Sequence, residues 1–176
     1  SSTRKGTSVT NQTVLQLSGF YRGINLICND FAKIPKHVVQ KQGNKTSYLD
    51  NHPIHALINQ RPNQYMNAWG FDSMLINCAI LRGNGYAEII RDQRTAQITA
   101  LQYIDERYTP VIVKRHDNQL FYHFSGRTVP SDDIVHYRSL FSENGITGIG
   151  IVTYAAKSLG VALSSQEFAE EYYSSK

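Results

Sequence analysis

Apolar positions in this chain change period several times, and each change marks an element. From Val14 onward, Leu17, Phe20, Tyr21, Ile24, Ile27, Cys28 and Phe31 recur at three- and four-residue steps. That is the spacing of one face of a long helix, and Pro35 stops it. His37-Val38-Val39 opens a short strand, Gln42-Gly43-Asn44-Lys45 turns, and Ser47-Tyr48-Leu49 returns, which predicts a hairpin. Asn51 or His52 caps a short helix over Ile54 to Asn59, with Pro53 in its first turn, and Arg61-Pro62-Asn63 breaks it. A second long helix is expected from Ala68 to Arg82, with Phe71, Met74, Leu75, Cys78 and Leu81 as its apolar stripe. Gly83 follows as its C-terminal cap, since glycine enters the left-handed region without a Cβ penalty.

Beyond Gly83 the period falls toward two. Tyr86–Arg91, Ile98–Ile104, Val111–Val113, Leu120–Phe124 and Ile134–Tyr137 read as strands, with His116-Asp117-Asn118 as a tight turn. The glycine-rich stretch from Asn144 to Gly150 then leads into a third long helix, about Ile151 to Tyr173, whose apolar face carries Ile151, Ala155, Leu159, Ala162 and Phe168. Strands clustered together and joined by short turns argue for α+β: three main helices around a small, mostly antiparallel sheet. Residues 1–13 are polar and unpatterned and read as a flexible leader, leaving 14–176 as a single domain. The last helix stops without cap, turn or docking strand, so the expectation is a cut within a longer protein.

Composition narrows the function classes. With 41% apolar and 18% charged residues the chain supports a packed core and is not a disordered tail. The net charge of +4 is spread along the chain, and its densest pairs, Arg4-Lys5 and Lys114-Arg115, are short. A mildly basic surface explains this better than a dedicated phosphate-binding patch. No apolar run approaches the ~18 residues that span a bilayer. No secretory leader pattern opens the sequence. Cys28 and Cys78 lie within helical patterns, where buried free thiols and a reducing compartment are the expectation.

Candidate chemistry is thin. Gly145, Gly148 and Gly150 precede a helix, but the loop lacks the Lys-Ser/Thr of a phosphate-binding loop and the spacing of a dinucleotide fingerprint. A connector using glycine for backbone freedom is the better reading. Asp132, Asp133 and His136 are close in sequence, yet strand alternation sets Asp132 apart from Asp133 and His136 opposite Asp133, so His136 is expected to anchor a strand end. Neither cysteine sits on the small-residue turn or exposed helix start that a nucleophile needs. Phe121-Tyr122-His123-Phe124 and Tyr172-Tyr173, beside Lys114 and Arg115, offer aromatic faces to single-stranded bases, but packing is the better use of them. A stand-alone basic nucleic-acid-binding module is the alternative to a structural role.

Taken in order, these segments resemble phage portal proteins of the group typified by phage HK97. Phe31-Ala32-Lys33-Ile34-Pro35 is similar to a helix end in that family, and His52-Pro53 through Pro62-Asn63 to its "HP…PN" segment. Trp69-Gly70-Phe71 opens the following helix as in the family. Leu81-Arg82-Gly83-Asn84-Gly85-Tyr86-Ala87 is very like its "L-x-GNAY" motif, with Gly85 where alanine is usual. Leu101–Ile104, Asp133-Ile134-Val135-His136-Tyr137-Arg138 and Gly145–Gly150 continue the match. The resemblance implies that Pro35, His52, Pro53, Pro62, Asn63, Gly83, Asn84, Tyr86, Asp133, His136 and Gly148 are structural positions of the wing and body region, with no catalytic, cofactor or metal site. It further implies a subunit of a ring, usually dodecameric, at one vertex of the virion, assembled in the bacterial host cytoplasm. Its partners would be terminase, capsid and head–tail connector proteins and the double-stranded DNA that passes through, with no membrane. Family members continue past this point, so the segments that touch DNA and terminase most directly are expected elsewhere. An isolated subunit should leave an apolar stripe bare on its first or last helix.

Overall fold

The computed structural model describes residues 11–155, with side chains from residue 18 onward. It is α+β, as the period changes predict. Helix α1 spans Asn11–Ala32 and so takes in the end of the polar leader. It tightens after its last turn, with Ile34 N–H donating to Phe31 O at 3.1 Å, before Pro35 forbids continuation. The hairpin β1 (Val39–Gln42) and β2 (Lys45–Tyr48) turns at Gly43, whose φ is +59°. Helix α2 spans Pro53–Asn59 and α3 spans Ala68–Arg82. Gly83, at φ 101°, ends α3 and releases the chain directly into β3 (Asn84–Arg91).

Strand β3 is the centre of the molecule. It pairs antiparallel with β4 (Ile98–Ile104) on one side and with β8 (Ile134–Arg138) on the other. Alternation along β3 points neighbouring residues at different layers. Ala87 joins Phe71 and Leu75 of α3 and Leu101 of β4 in one apolar cluster. Tyr86 joins Ile104 and Ile134 against Tyr122, Phe124 and Val129 of a separate sheet. The order of layers is therefore α1, α3, the β4-β3-β8 sheet, then the β5-β6-β7 sheet.

The expected single sheet is thus three: β1-β2, β4-β3-β8 and β5-β6-β7. The strand that pattern reading omits is β7 (Arg127–Pro130), four residues following β6 (Gln119–Phe124) across a tight turn at Ser125 (φ 49°) and Gly126 (φ 71°). A run so short carries no readable period. Strand β5 (Ile112–His116) meets β6 through the anticipated turn, with Asp117 and Asn118 at φ 45° and 62°. A 3₁₀ turn over Ser131–Asp133 connects β7 to β8. Asp132 and Asp133 therefore lie outside any strand, and the alternation argument for them does not hold. After β8 the glycine-rich loop reaches a helix whose described part is 151–155. The rest of its expected apolar face, and Tyr172-Tyr173, lie outside the described residues.

Candidate assembly site: a buried polar junction beneath an exposed helix face

Five of the eleven motif positions converge where α3, β3, β8 and the glycine-rich loop meet. Asn84, the first residue after the cap, clasps the backbone of Gly148: its Oδ1 accepts from Gly148 N–H at 2.7 Å and its Nδ2 donates to Gly148 O at 3.2 Å. That orientation makes Oδ1 an acceptor, so His136 Nε2, 2.8 Å away, donates to it. His136 Nδ1 is then the acceptor for the Tyr122 hydroxyl at 3.1 Å. The chain Tyr122–His136–Asn84–Gly148 requires a neutral imidazole. Burial, with the Arg138 charge adding to it, pulls the His136 pKa down to about 4. Tyr86 stacks at a tilt on His136, 4.4 Å between centroids, and burial pushes its hydroxyl far above the ordinary range.

The glycines here serve close approach and not freedom. A Cβ on Gly148 would overlap the Gly83 carbonyl oxygen and stand 2.8 Å from Ser139 N and Oγ, while a Cβ on Gly150 would strike the Leu81 carbonyl. Only Gly145 in this loop takes a positive φ, 72°. Ser139 completes the seam: its N–H donates to Gly83 O at 2.9 Å, and its hydroxyl donates to Ile149 O at 2.7 Å. Gly85 is also a close approach, because a Cβ there would strike the Leu75 carbonyl. In this chain, α3 lies too near β3 for a Cβ at position 85.

The other motif positions are local devices. Buried Asn63 donates to Leu101 O at 2.9 Å and accepts from Tyr65 and Met66 N–H at 2.9 and 3.0 Å, while Leu101 N–H donates to Pro62 O at 2.8 Å. This latch satisfies the backbone N–H and C=O of Leu101 on the outer edge of β4. His52 caps α2, its Nδ1 accepting from Ile54 N–H at 3.2 Å, with Pro53 at the first helical position. Asp133 pairs with Arg91 at 2.7 Å near the surface. Exposed Pro35 ends α1 without joining the junction.

Pattern reading missed a buried pair. Asp72, 3% exposed inside α3, is ion-paired with Lys36 and accepts from the Tyr137 hydroxyl at 3.2 Å. Asn59 holds the Lys36 backbone from both sides, at 3.1 and 2.8 Å. A lone acid in a helix reads as a solvent position; only the spacing Phe71-Asp72-Leu75-Ala79, which puts it beside buried residues, carried a signal.

The surface of α1 differs from its expected stripe. Ile24 and Cys28 are buried against α3, and Phe31 is half-buried. The flanking Phe20, Tyr21 and Ile27 remain 40%, 68% and 54% exposed. Both thiols are free. In β6, Tyr122 and Phe124 are buried, which leaves Phe121 and His123 half-exposed beside Lys114. The arrangement holds elements together. His136 is spent on Asn84 and Tyr122, Asp133 is spent on Arg91, and no helix among the described residues is long and apolar enough to cross a membrane.

Comparison with known proteins gives a consistent result. The family described as phage portal protein matches residues 18–176. The chain is 26% identical over 173 residues to the portal protein of Enterobacteria phage HK97, covering 94% of this chain and 40% of that protein. It is 25% identical over 85 residues to Protein BeeE of Escherichia coli (strain K12), covering 48% of this chain and 54% of that protein. Among solved structures, its fold is similar to an HK97-family phage portal protein from Corynebacterium diphtheriae, with a TM-score of 0.50 at 14% identity over 83% of this chain and 43% of that one. It is also similar to a chain in the neck of an empty GTA particle, with a TM-score of 0.57 at 23% identity over 93% of this chain and 47% of that one. The chain thus spans about half or less of each of these relatives' lengths. With motifs, fold and family match agreeing from the first long helix onward, the chain belongs to the phage portal protein family.

Proposed function

We propose that the protein carrying this chain is a structural, non-enzymatic subunit of a portal ring at one capsid vertex, through which double-stranded DNA enters and leaves. The observation that carries this reading is α1. Its apolar arc is wider than α3 covers, and Phe20, Tyr21 and Ile27 remain exposed on either side of the buried line through Ile24 and Cys28. A closed ring requires heterologous contacts, in which one face of each subunit meets a different face of the next. An uncovered apolar helix flank fits such a contact. The GTA necks that share this fold were computed with C6 and C12 symmetry, which favours the same arrangement here. Terminase, capsid and connector proteins would be partners of the whole protein, largely through segments beyond this region, and twelve is the expected subunit number.

Electron microscopy and native mass spectrometry of the full-length protein test the reading. A closed ring is expected, weakened by Ile27→Asp with the far-ultraviolet spectrum unchanged. A protein that stays monomeric at every concentration tried would sink it.

A further inference from the structure

The β1–β2 hairpin stands apart from both larger sheets, and all eight of its residues are exposed. A lone two-stranded hairpin is marginal in water, so a further strand laid against it would steady it. Hydrogen-bond parity shows which groups are open. Leu49 N–H donates to Val38 O at 2.8 Å, and from that pair the register makes Gln40–Ser47 and Gln42–Lys45 the bonded pairs. Val39 and Lys41 on β1, and Thr46 and Tyr48 on β2, therefore turn their backbone N–H and C=O groups outward. Lysine blunts a strand edge, and Lys41 stands on the β1 side. The β2 side has no such guard, since Thr46 and Tyr48 are uncharged strand formers.

An edge of matching length exists on the same chain. Ser139 N–H donates to Gly83 O, so along β8 Val135 and Tyr137 bond to β3, while Ile134, His136 and Arg138 face away from it. No strand lies on that outer side of β8 among the described residues. Ile134 N–H is taken by Ser131 O, which leaves Ile134 O, His136 N–H and O, and Arg138 N–H. The other edges are poorer. The Pro62–Asn63 latch occupies Leu101 on β4, and β7 is four residues ending in Pro130, which has no N–H. β5 carries Lys114, Arg115 and His116, whose charge opposes the hairpin's Lys41 and Lys45.

We propose that the β2 edge of one copy adds in parallel to the β8 edge of the next, an inference that rests on the ring reading above and specifies one of its contacts. A parallel ladder with Thr46 beside Val135 and Tyr48 beside Tyr137 uses every outward group of the two β2 residues. Thr46 N–H donates to Ile134 O and His136 N–H to Thr46 O; Tyr48 N–H donates to His136 O and Arg138 N–H to Tyr48 O. This direction also brings the hairpin turn to the start of β8. Lys45 and Asp132 then meet; both are exposed, and neither side chain is hydrogen-bonded or ion-paired among the described residues. The antiparallel direction sets Lys45 near Arg138 instead, like charge against like. Ile34 and Val39, 58% and 44% exposed, carry the bare apolar flank of α1 on to the base of the hairpin, so one contact runs from helix to strand.

The test uses the full-length protein, with its ring state read by native mass spectrometry. Lys45→Cys combined with Asp132→Cys and treated with a short bis-maleimide is expected to give a ladder of dimers and higher multimers on a denaturing gel. Either substitution alone should give none. Thr46→Pro removes an N–H that points outward in the lone subunit, so circular dichroism of the subunit should hold. The concentration at which half the chains are in rings should nonetheless rise at least about tenfold. Thr46→Val keeps that N–H and should match the wild type. Rings that form without the ladder, or that are indifferent to Thr46→Pro, overturn the hairpin contact and leave the ring reading standing. A wild-type protein that forms no ring overturns both.

Discussion

Replacing Gly148 by alanine tests whether the junction is a contact between backbones. Its new Cβ would lie well inside 3.0 Å of the Gly83 carbonyl oxygen and 2.8 Å from Ser139 N and Oγ. None of these is a flexible side-chain end that can move aside cheaply, apart from the serine hydroxyl, so the loop must lift from β3. Lifting breaks the Gly148 N–H bond to Asn84 Oδ1 (2.7 Å), the Asn84 Nδ2 bond to Gly148 O (3.2 Å) and the Ser139 N–H bond to Gly83 O (2.9 Å). At about 1 kcal/mol net for each, the loss is about 3 kcal/mol. Gly145→Ala is the control. Nothing lies within 4 Å of its Cβ, but φ is +72°, so only backbone strain of about 1 kcal/mol is expected. Urea unfolding followed by circular dichroism measures both, with equal denaturant slopes showing that the unfolded state is unchanged. Equal losses for the two alanine variants, or a loss below 1 kcal/mol at Gly148, would refute the close-approach argument.

Three further expectations follow from the same geometry. His136 titrates near 4 when folded against about 6.5 unfolded, so its contribution is complete above pH 6.5 and is lost as pH falls from 6.5 toward 4. The unscreened amount is about 3 kcal/mol, reduced to about 1–2 kcal/mol by the ring's remaining solvent contact; urea midpoints at pH 7.5 and 4.5 should fall further apart in the wild type than in His136→Gln. Lys36→Met leaves the Asp72 carboxylate buried with only the Tyr137 hydroxyl beside it, and should cost about 3 kcal/mol, partly recovered by adding Asp72→Asn. If denaturation shows Lys36→Met to be neutral, the pair is not a buried ion pair. Asn63→Ala deprives Leu101 O and the Tyr65 and Met66 N–H groups of their partners, and a melting curve should register about 2–3 kcal/mol, in contrast to a near-zero effect for exposed Gln64→Ala.

Local physics was enough to read much of this protein from its residues. Helix α3 runs from Ala68 to Arg82 with Gly83 left-handed behind it, because the cap and the apolar spacing act within a few residues of each other. The Asp117-Asn118 turn, the His52-Pro53 start of α2 and the α+β class were legible for the same reason. The family resemblance rested on ordered motifs and needed no coordinates. Tertiary structure decided the rest. Periodicity states which residues share a face but not how much of that face a neighbour covers, so Phe20, Tyr21 and Ile27 look like core and prove exposed beside the narrow line that α3 fills. It could not show that Asp72 would meet Lys36 from another segment, or that Gly148 is there because Gly83 passes against it. Those are contacts between residues 36 and 65 positions apart, set by how the layers stack, and no local pattern encodes that distance.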